Sequence, residues 1–183
     1  MWDIDASLNS LEDAVEEIES FLLSEDAIRA QSGRSSLSVG LISLNFRWLR
    51  SAVENEDQAR LQEVETELAG IRDKWRVAWE RKAAAELRSR LNLWRGYLSD
   101  LEGRPGLGSS YPQEVKNRAI SVDLLDAAGN QPEIKTLAAS LDAVDGRLRE
   151  RFQPGNFVWE QVPESAFPVE PFWFLYGRPQ IRS

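Results

Sequence analysis

The apolar positions in the first half of the chain recur with the spacing of amphipathic helices. In the first segment they step by four and three: Ile4, Leu8, Leu11, Val15, Ile18 and Leu22. This spacing places them all on one face of an α-helix. A second helix is predicted from about Ser36 to Val53, with these inward positions: Leu37, Leu41, Leu44, Trp48 and Leu49.

The longest periodic segment runs from about Asp57 to Leu101 and contains no proline. As a single helix it would measure on the order of 65 Å, which exceeds the height of a small bundle. We therefore expect either a bend near Ala83–Ala85 or two halves that pack in different layers. Glycines and prolines between Gly103 and Pro112 end this segment, because neither residue sustains a helix.

Two further helices are predicted after this break. The fourth runs from about Pro112 to Ala127, and the fifth carries its apolar residues at Ile134, Leu137, Leu141, Val144 and Leu148. The sequence thus predicts an all-α fold. Residues 1–152 are expected to form an elongated five-helix bundle with one very long central helix.

Residues 153–183 differ in character, because prolines alternate with aromatic residues. Disordered segments are poor in aromatics, so we expect an irregular C-terminal clamp that packs on the bundle within the same domain. Proline removes backbone donors, so side-chain burial and not backbone hydrogen bonding is expected to hold this clamp. The alternative is docking on another chain, with these partner-binding candidates: Trp159, Phe167, Phe172, Trp173 and Phe174.

Charge and hydropathy narrow the class of partner. The formal net charge is −8, from 30 acidic and 22 basic residues, which disfavours nonspecific binding to nucleic acid or an anionic membrane. The first residues are acidic and lack the features of a signal peptide. No apolar run approaches the roughly 20 residues that cross a bilayer. We expect a cytoplasmic protein without a membrane segment.

The chain contains no cysteine and no histidine. Disulfides, thiolate nucleophiles, histidine-based catalysis and Cys/His metal sites are therefore excluded. Any catalysis would depend on carboxylates, Lys, Tyr, Ser/Thr or backbone groups, and any metal would be a hard cation held by oxygen ligands. We expect no cofactor.

Two pairs of carboxylates have a spacing that suits a divalent cation. Glu16 and Glu19 are three residues apart, as are Glu54 and Asp57, so each pair lies on one helical face. The two pairs together resemble the Mg²⁺ site of all-α nucleotide pyrophosphohydrolases. That resemblance implies a Mg²⁺-dependent nucleotide hydrolase as an alternative function. The interpretation we favour is that these are solvated helix faces of an acidic chain.

The middle of the long helix is basic, and this suggests a second alternative. Its cations are Arg72, Lys74, Arg76, Arg81, Lys82, Arg88, Arg90 and Arg95. Interleaved with Trp75, Trp79 and Trp94, a basic stretch centred on Arg81 could bind nucleic acid. The tryptophans share the apolar seam, however, so a place in the core is the interpretation we favour.

Two rows of charges recur every seventh residue beside helical seams. The acidic row is Asp5, Glu12, Glu19 and Asp26, and the basic row is Lys74, Arg81, Arg88 and Arg95. Rows of opposite sign beside two seams are typical of neighbouring parallel helices. We predict that the first and third helices run parallel and adjacent. The alternative is that the two rows are independent solvated stripes.

These observations favour a non-enzymatic helical interaction or scaffolding protein. It is expected to self-associate or to bind one protein partner. The residue types on which most catalysis depends are missing, whereas helical seams and aromatic surface are plentiful.

Overall fold

The computed structural model describes residues 2–30 and 36–180, and within them the chain is mostly helical, as predicted. Its α-helices are α1 (Ile4–Leu23), α2 (Val39–Leu49), α3 (Asn55–Lys74), α4 (Arg76–Gly103), α5 (Tyr111–Ala127), α6 (Ile134–Arg149) and the single turn α7 (Val169–Phe172). Two antiparallel strand pairs were not predicted: β1 (Arg29–Ala30) with β2 (Ser36–Leu37), and β3 (Phe152–Phe157) with β4 (Tyr176–Pro179). The described residues therefore form more helices than the five predicted.

Helix α1 runs parallel to α3 and to the start of α4. Arg60 lies 2.9 Å from Glu12, and Lys74 lies 2.8 Å from Glu19. Further along, Lys82 donates to the Ser24 carbonyl at 2.8 Å. The residue numbers in contact increase in the same direction along α1 and along α3 and α4. The predicted parallel arrangement is therefore confirmed. Among the described ion pairs, Lys74–Glu19 alone joins the two predicted charge rows.

Reversing the two paired acids of α1 is expected to weaken the fold more than reversing two unpaired ones. Glu12→Lys with Glu19→Lys places cations against Arg60 and Lys74, whereas Glu16 makes no ion pair among the described residues. The double variant should melt at a lower temperature than Glu16→Lys with Glu17→Lys, which carries the same net charge. Because the pairs are exposed, the difference should be small and should shrink at high salt. Equal melting temperatures at low salt would contradict this expectation.

The long helical segment is interrupted at Trp75 and not near Ala83–Ala85. Of the two alternatives predicted, the structure therefore favours two halves that pack in different layers. Trp75 leaves helical geometry, with φ −109° and ψ 28°, although its amide still donates to the Ile71 carbonyl at 2.9 Å. Ala83 and Ala84 are buried within α4. Small side chains there allow neighbouring helices to approach without disturbing helical geometry. The interruption lets α3 pack on α1 while α4 packs along α5.

Helix α2 is shorter than the predicted Ser36–Val53, because Ser36 and Leu37 belong to β2 and the helix ends at Leu49. The Ser38 hydroxyl caps its first turn and accepts from the Leu41 amide at 3.2 Å. Gly40 allows α2 to approach α4 and α5 closely. A Cβ at this position would overlap Ile120 and would lie 2.8 Å from Oε1 of Glu86.

The C-terminal segment contains a β-hairpin, so the expectation that backbone hydrogen bonds would not hold it is wrong. Gln153 pairs with Arg178, and Pro154 pairs with Gly177. In a two-stranded ladder each strand is an edge, where a proline can sit without removing a required donor. Side-chain burial also contributes, since Phe167, Phe172 and Phe174 are 0% exposed.

Hydrogen bonds to α5 attach this segment to the bundle. Trp159 Nε1 donates to the Pro112 carbonyl at 2.7 Å, and the Tyr111 hydroxyl donates to the Phe174 carbonyl at 2.7 Å. The Arg118 guanidinium lies over the Phe174 ring, 4.5 Å from its centroid, and pairs with Asp145 of α6 at 2.8 Å. The segment therefore packs on the bundle of its own chain.

The attachment through Tyr111 predicts a loss of stability at alkaline pH. Burial raises the pKa of Tyr111 above its ordinary value. A raised pKa in the folded state stabilises the fold below the unfolded-state pKa of about 10, and this contribution is lost as pH rises above it. The free energy of unfolding of wild type should therefore fall above about pH 10 more steeply than that of Tyr111→Phe, as followed by urea denaturation. If the free energy of unfolding fell equally with pH in both proteins, the loss of stability could not be assigned to Tyr111.

Candidate binding cleft

A cleft of about 610 Å³ lies between α2, α3, α5 and the start of α4. Apolar side chains form its floor: Ile42, Phe46, Leu68 and Trp79. Four arginines and five carboxylates surround this floor: Arg47, Arg50, Arg72, Arg76, Glu65, Asp73, Glu80, Asp123 and Asp126. We call this feature the cleft.

Helical spacing explains how the sequence builds the walls. On α2, Ile42 and Phe46 are four residues apart and form part of the floor. Ser43 and Arg47 follow them by one position, so they lie on the adjacent face and reach the rim. On α3, Leu68 provides the floor, while its neighbours Ala69 and Arg72 line the side.

Two ion pairs connect the walls of the cleft. Arg47 of α2 binds Asp123 of α5 through both carboxylate oxygens, and Nε of Arg47 lies 3.2 Å from Oδ2. Arg50, just after α2, binds Glu65 of α3. Asp123 is largely covered, so its pair with Arg47 is better shielded from solvent than the exposed Arg50–Glu65 pair. Through these contacts α2 meets α5 on one side of the cleft and α3 on the other.

Other rim charges remain available to a ligand. Within the described residues, Arg76 and Asp126 make no side-chain ion pair or hydrogen bond, and both are exposed. Arg72 has only a long contact with its neighbour Asp73, at 3.7 Å. The Glu80 carboxyl lies against Gly129, which has a positive φ of 56°. The cleft therefore offers both signs of charge above an apolar floor.

The four carboxylates considered as a metal site lie apart from the cleft and are not brought together. Glu19 binds Lys74 at 2.8 Å, and Asp57 contacts Arg60 at 3.4 Å. Glu16 and Glu54 are exposed. In the described part of the chain, no three acidic side chains form a group that could hold a metal ion.

The basic residues of the long helix do not form one continuous face. Lys82 is 3% exposed, and Arg90 pairs with the buried Glu86 at 3.0 Å. Lys74 and Arg88 pair with Glu19 and Glu133. Arg81 itself is exposed. Trp79 and Trp94 are buried, as predicted, and Trp75 is half-buried.

The aromatic residues considered for partner binding are covered by their own chain. Trp159 is 5% exposed, and Phe167, Phe172 and Phe174 are fully buried. Trp173 is half-buried, with its ring edge-on to Phe152 at 5.1 Å and beneath the Arg149 guanidinium at 4.3 Å. These contacts lie within the bundle and its C-terminal segment.

Sequence reasoning missed most of the cleft. In the sequence, Arg72 and Arg76 stand out only as parts of a basic stretch, and no pattern singles out Arg47 or Asp123. The last two are 76 positions apart, so their pairing depends on how α2 crosses α5. One local pattern does indicate the α2 wall of the cleft. The polar residues Ser43, Arg47 and Arg50 each follow an apolar residue of α2 by one position.

Comparisons of the chain with family models, curated proteins and solved structures gave no match. Among the described helices, none has the length and apolar character needed to cross a bilayer. The cleft is therefore the feature of the molecule from which we infer a function.

Proposed function

We propose that this protein is a non-enzymatic helical interaction protein, and that the cleft binds a segment of a partner protein. The observation that carries the proposal is an apolar floor surrounded by charges of both signs. Protein interfaces typically combine an apolar centre with a polar rim. Pockets for small molecules are lined mainly by apolar groups and enclose most of the ligand, which suits this charged and solvent-facing cleft less well.

The charges of the cleft favour a partner segment over a nucleic acid. Four arginines face five carboxylates, so the lining as a whole does not attract a polyanion. Arg76 and Asp126 lack partners in the described structure and are placed to recognise one acidic and one basic side chain. We expect the bound segment to carry charges of both signs around at least one apolar side chain that contacts the floor.

Helices α3 and α4 support this role because they contribute two neighbouring arginines to the cleft. Hydrogen bonds continue across Trp75, because the Trp79 amide donates to the Trp75 carbonyl at 2.9 Å. The end of α3 and the start of α4 therefore both contribute to the same wall of the cleft, with Arg72 and Arg76. A cytoplasmic scaffolding role belongs to the same proposal and is supported by the cysteine-free composition.

Filling the cleft is expected to prevent partner binding. Ala69 lines the cleft, whereas Ala59 is an exposed residue of the same helix outside it. Ala69→Trp and Ala59→Trp thus add the same side chain to α3 at a functional and a neutral position. Proteins captured by wild type and by Ala59→Trp, but not by Ala69→Trp, should be purified and their affinities measured by calorimetry. The proposal predicts a loss of at least about tenfold, which is about 1.4 kcal/mol, for Ala69→Trp alone.

A second pair of variants tests the charge of the rim. Arg76→Glu and Arg95→Glu produce the same change in net charge on α4, and only Arg76 lines the cleft. Arg76→Glu should weaken binding of the purified partner, and Arg95→Glu should not. Equal effects would indicate general electrostatic attraction and would contradict a specific role for the cleft.

Sedimentation velocity on the same variants tests whether the partner that occupies the cleft is a second copy of the chain. An oligomer formed by wild type and Ala59→Trp, and lost in Ala69→Trp, would support self-association through the cleft. If all three proteins behave alike in both assays, the cleft is not the binding surface.

A further inference from the structure

A second pocket, of about 430 Å³, lies where α3 meets α4. Residues 73–78 and Arg81 line it. Because Trp75 leaves helical geometry here, a groove separates the last turn of α3 from the first turn of α4. We call this feature the junction pocket. It shares Asp73 and Arg76 with the cleft, whereas Val77 and Arg81 line the junction pocket alone.

Apolar side chains are uncovered at the junction pocket. Val77 is 70% exposed, the largest fraction among the large apolar side chains that the structure describes. On the α1 side, Glu19 binds Lys74 at 2.8 Å. Leu23 lies one turn further along the same face of α1 and is 65% exposed. Apolar area near the half-buried Trp75 is therefore open to solvent.

Two cations of the junction pocket have no carboxylate partner. Within the described residues, Arg76 and Arg81 are exposed and make no side-chain ion pair or hydrogen bond. Lys74 already binds a carboxylate of α1. Asp73, the one acid among the described residues of the lining, lies 3.7 Å from Arg72. The pocket therefore carries uncompensated positive charge in a chain whose formal net charge is −8.

We propose that the junction pocket binds an acidic segment of a partner protein, with one apolar side chain of that segment against Val77 and Leu23. The carboxylates of the segment would pair with Arg76 and Arg81, so the charges are complementary. Arginine and tryptophan beside exposed apolar area are typical of the residues that dominate binding at protein interfaces. The site differs from the cleft, whose lining carries both signs of charge, and the proposal does not depend on binding there.

The spacing of the two unpaired cations favours an extended segment over a single small anion. Arg76 and Arg81 are five positions apart on one helix, so they project about 140° apart around its axis. Side chains that diverge in this way reach two separate carboxylates more easily than one phosphate. The apolar side chain of the segment would lie between the two carboxylates.

A nucleic acid and an anionic membrane fit these surroundings less well. The basic row does not continue beyond Arg81 as a free surface, because Lys82 is buried and Arg88 already binds a carboxylate. Binding of nucleic acid requires cations along its phosphate backbone. An anionic membrane that contacted Leu23 would also meet the exposed Glu25. A short acidic segment placed along α4 avoids both difficulties.

NMR titration of the isotopically labelled full-length chain tests the proposal. The probe is a synthetic peptide in which glutamates flank a single leucine, and in the control peptide glutamines replace the glutamates. We expect saturable shifts of the backbone amides of Val77, Ala78 and Arg81 with the acidic peptide, weakened by salt, and none with the control. Equal shifts with both peptides would overturn the proposal. Larger shifts of these amides with a single-stranded oligonucleotide or with phosphatidylserine vesicles, at equal charge concentration, would also overturn it.

Matched variants separate the junction pocket from the cleft and from general charge effects. Arg81→Gln should weaken peptide binding about threefold, the effect of one exposed ion pair, whereas Arg95→Gln on the same helix should not weaken it. Val77→Ser should weaken binding about tenfold, and Val169→Ser makes the same change at another exposed position without effect. Ala69→Trp, which fills the cleft, should leave the affinity unchanged. Equal effects within either pair, or loss of peptide binding in Ala69→Trp, would overturn this proposal and leave that for the cleft standing.

Discussion

Deletion of residues 152–183 is expected to abolish cooperative unfolding of the remaining bundle. The deletion removes five large apolar side chains that are at most 5% exposed: Trp159, Phe167, Phe172, Phe174 and Leu175. Burial of each contributes about 1.5–3 kcal/mol, together about 8–15 kcal/mol. That is comparable to the whole stability of a typical domain, about 5–15 kcal/mol. Urea denaturation followed by circular dichroism should show no sigmoidal transition for the truncated chain.

A single substitution tests the same contacts in the intact chain. The Phe167 ring packs at 5.1 Å from Trp159 and 5.2 Å from Phe172. Phe167→Ala should lower the free energy of unfolding by about 3–5 kcal/mol. Val169→Ala is the matched control, because Val169 is 53% exposed and should change stability by less than about 0.5 kcal/mol. If both variants lowered the free energy of unfolding by the same small amount, this segment would not stabilise the bundle.

Replacement of the buried Glu86 is expected to be the most damaging change of a single charge. Glu86 is 0% exposed and accepts hydrogen bonds from Ser38, the Gly40 amide and Arg90. Glu86→Ala removes the acceptor of these hydrogen bonds and leaves the largely covered Arg90 guanidinium without its counter-ion. Breaking a buried pair in this way costs about 3–5 kcal/mol. In a chain of this size the melting temperature should fall by about 6–20 °C.

Asp100→Ala is the control for Glu86→Ala, since Asp100 is an exposed carboxylate on the same helix. Its melting temperature should remain within about 1–2 °C of wild type. A small effect of Glu86→Ala in calorimetry would show that the Ser38–Gly40 turn does not depend on this carboxylate. The position of α2, and with it one wall of the cleft, would then require another explanation.

The helices could be predicted from the sequence because their apolar positions repeat locally. The charge rows also predicted that α1 runs parallel to α3, although Glu12 binds Arg60, which is not a member of the basic row. The interruption at Trp75 could not be predicted, since neither Trp75 nor Arg76 disfavours a helix. Its cause is tertiary: α3 packs on α1, while α4 packs along α5.

The hairpin of the C-terminal segment was missed for a different reason. Pro154 and Pro179 argue against a strand in the interior of a sheet, but β3 and β4 form an isolated pair in which proline is tolerated. The cleft was missed because it depends on helix crossing. Arg47 and Asp123 become neighbours only once Gly40 allows α2 to approach α5.

Site-specific photo-crosslinking tests the role of the cleft most directly. A photoreactive amino acid is placed at Ser43, which lines the cleft on α2, and at the exposed Ala59 as control. Both proteins are irradiated with the partner, or with a second copy of the chain, and the crosslinked residues are identified by mass spectrometry. We expect a crosslink from position 43 to one segment of the partner, and none from position 59. Equal crosslinking from both positions, or from position 59 alone, would contradict it.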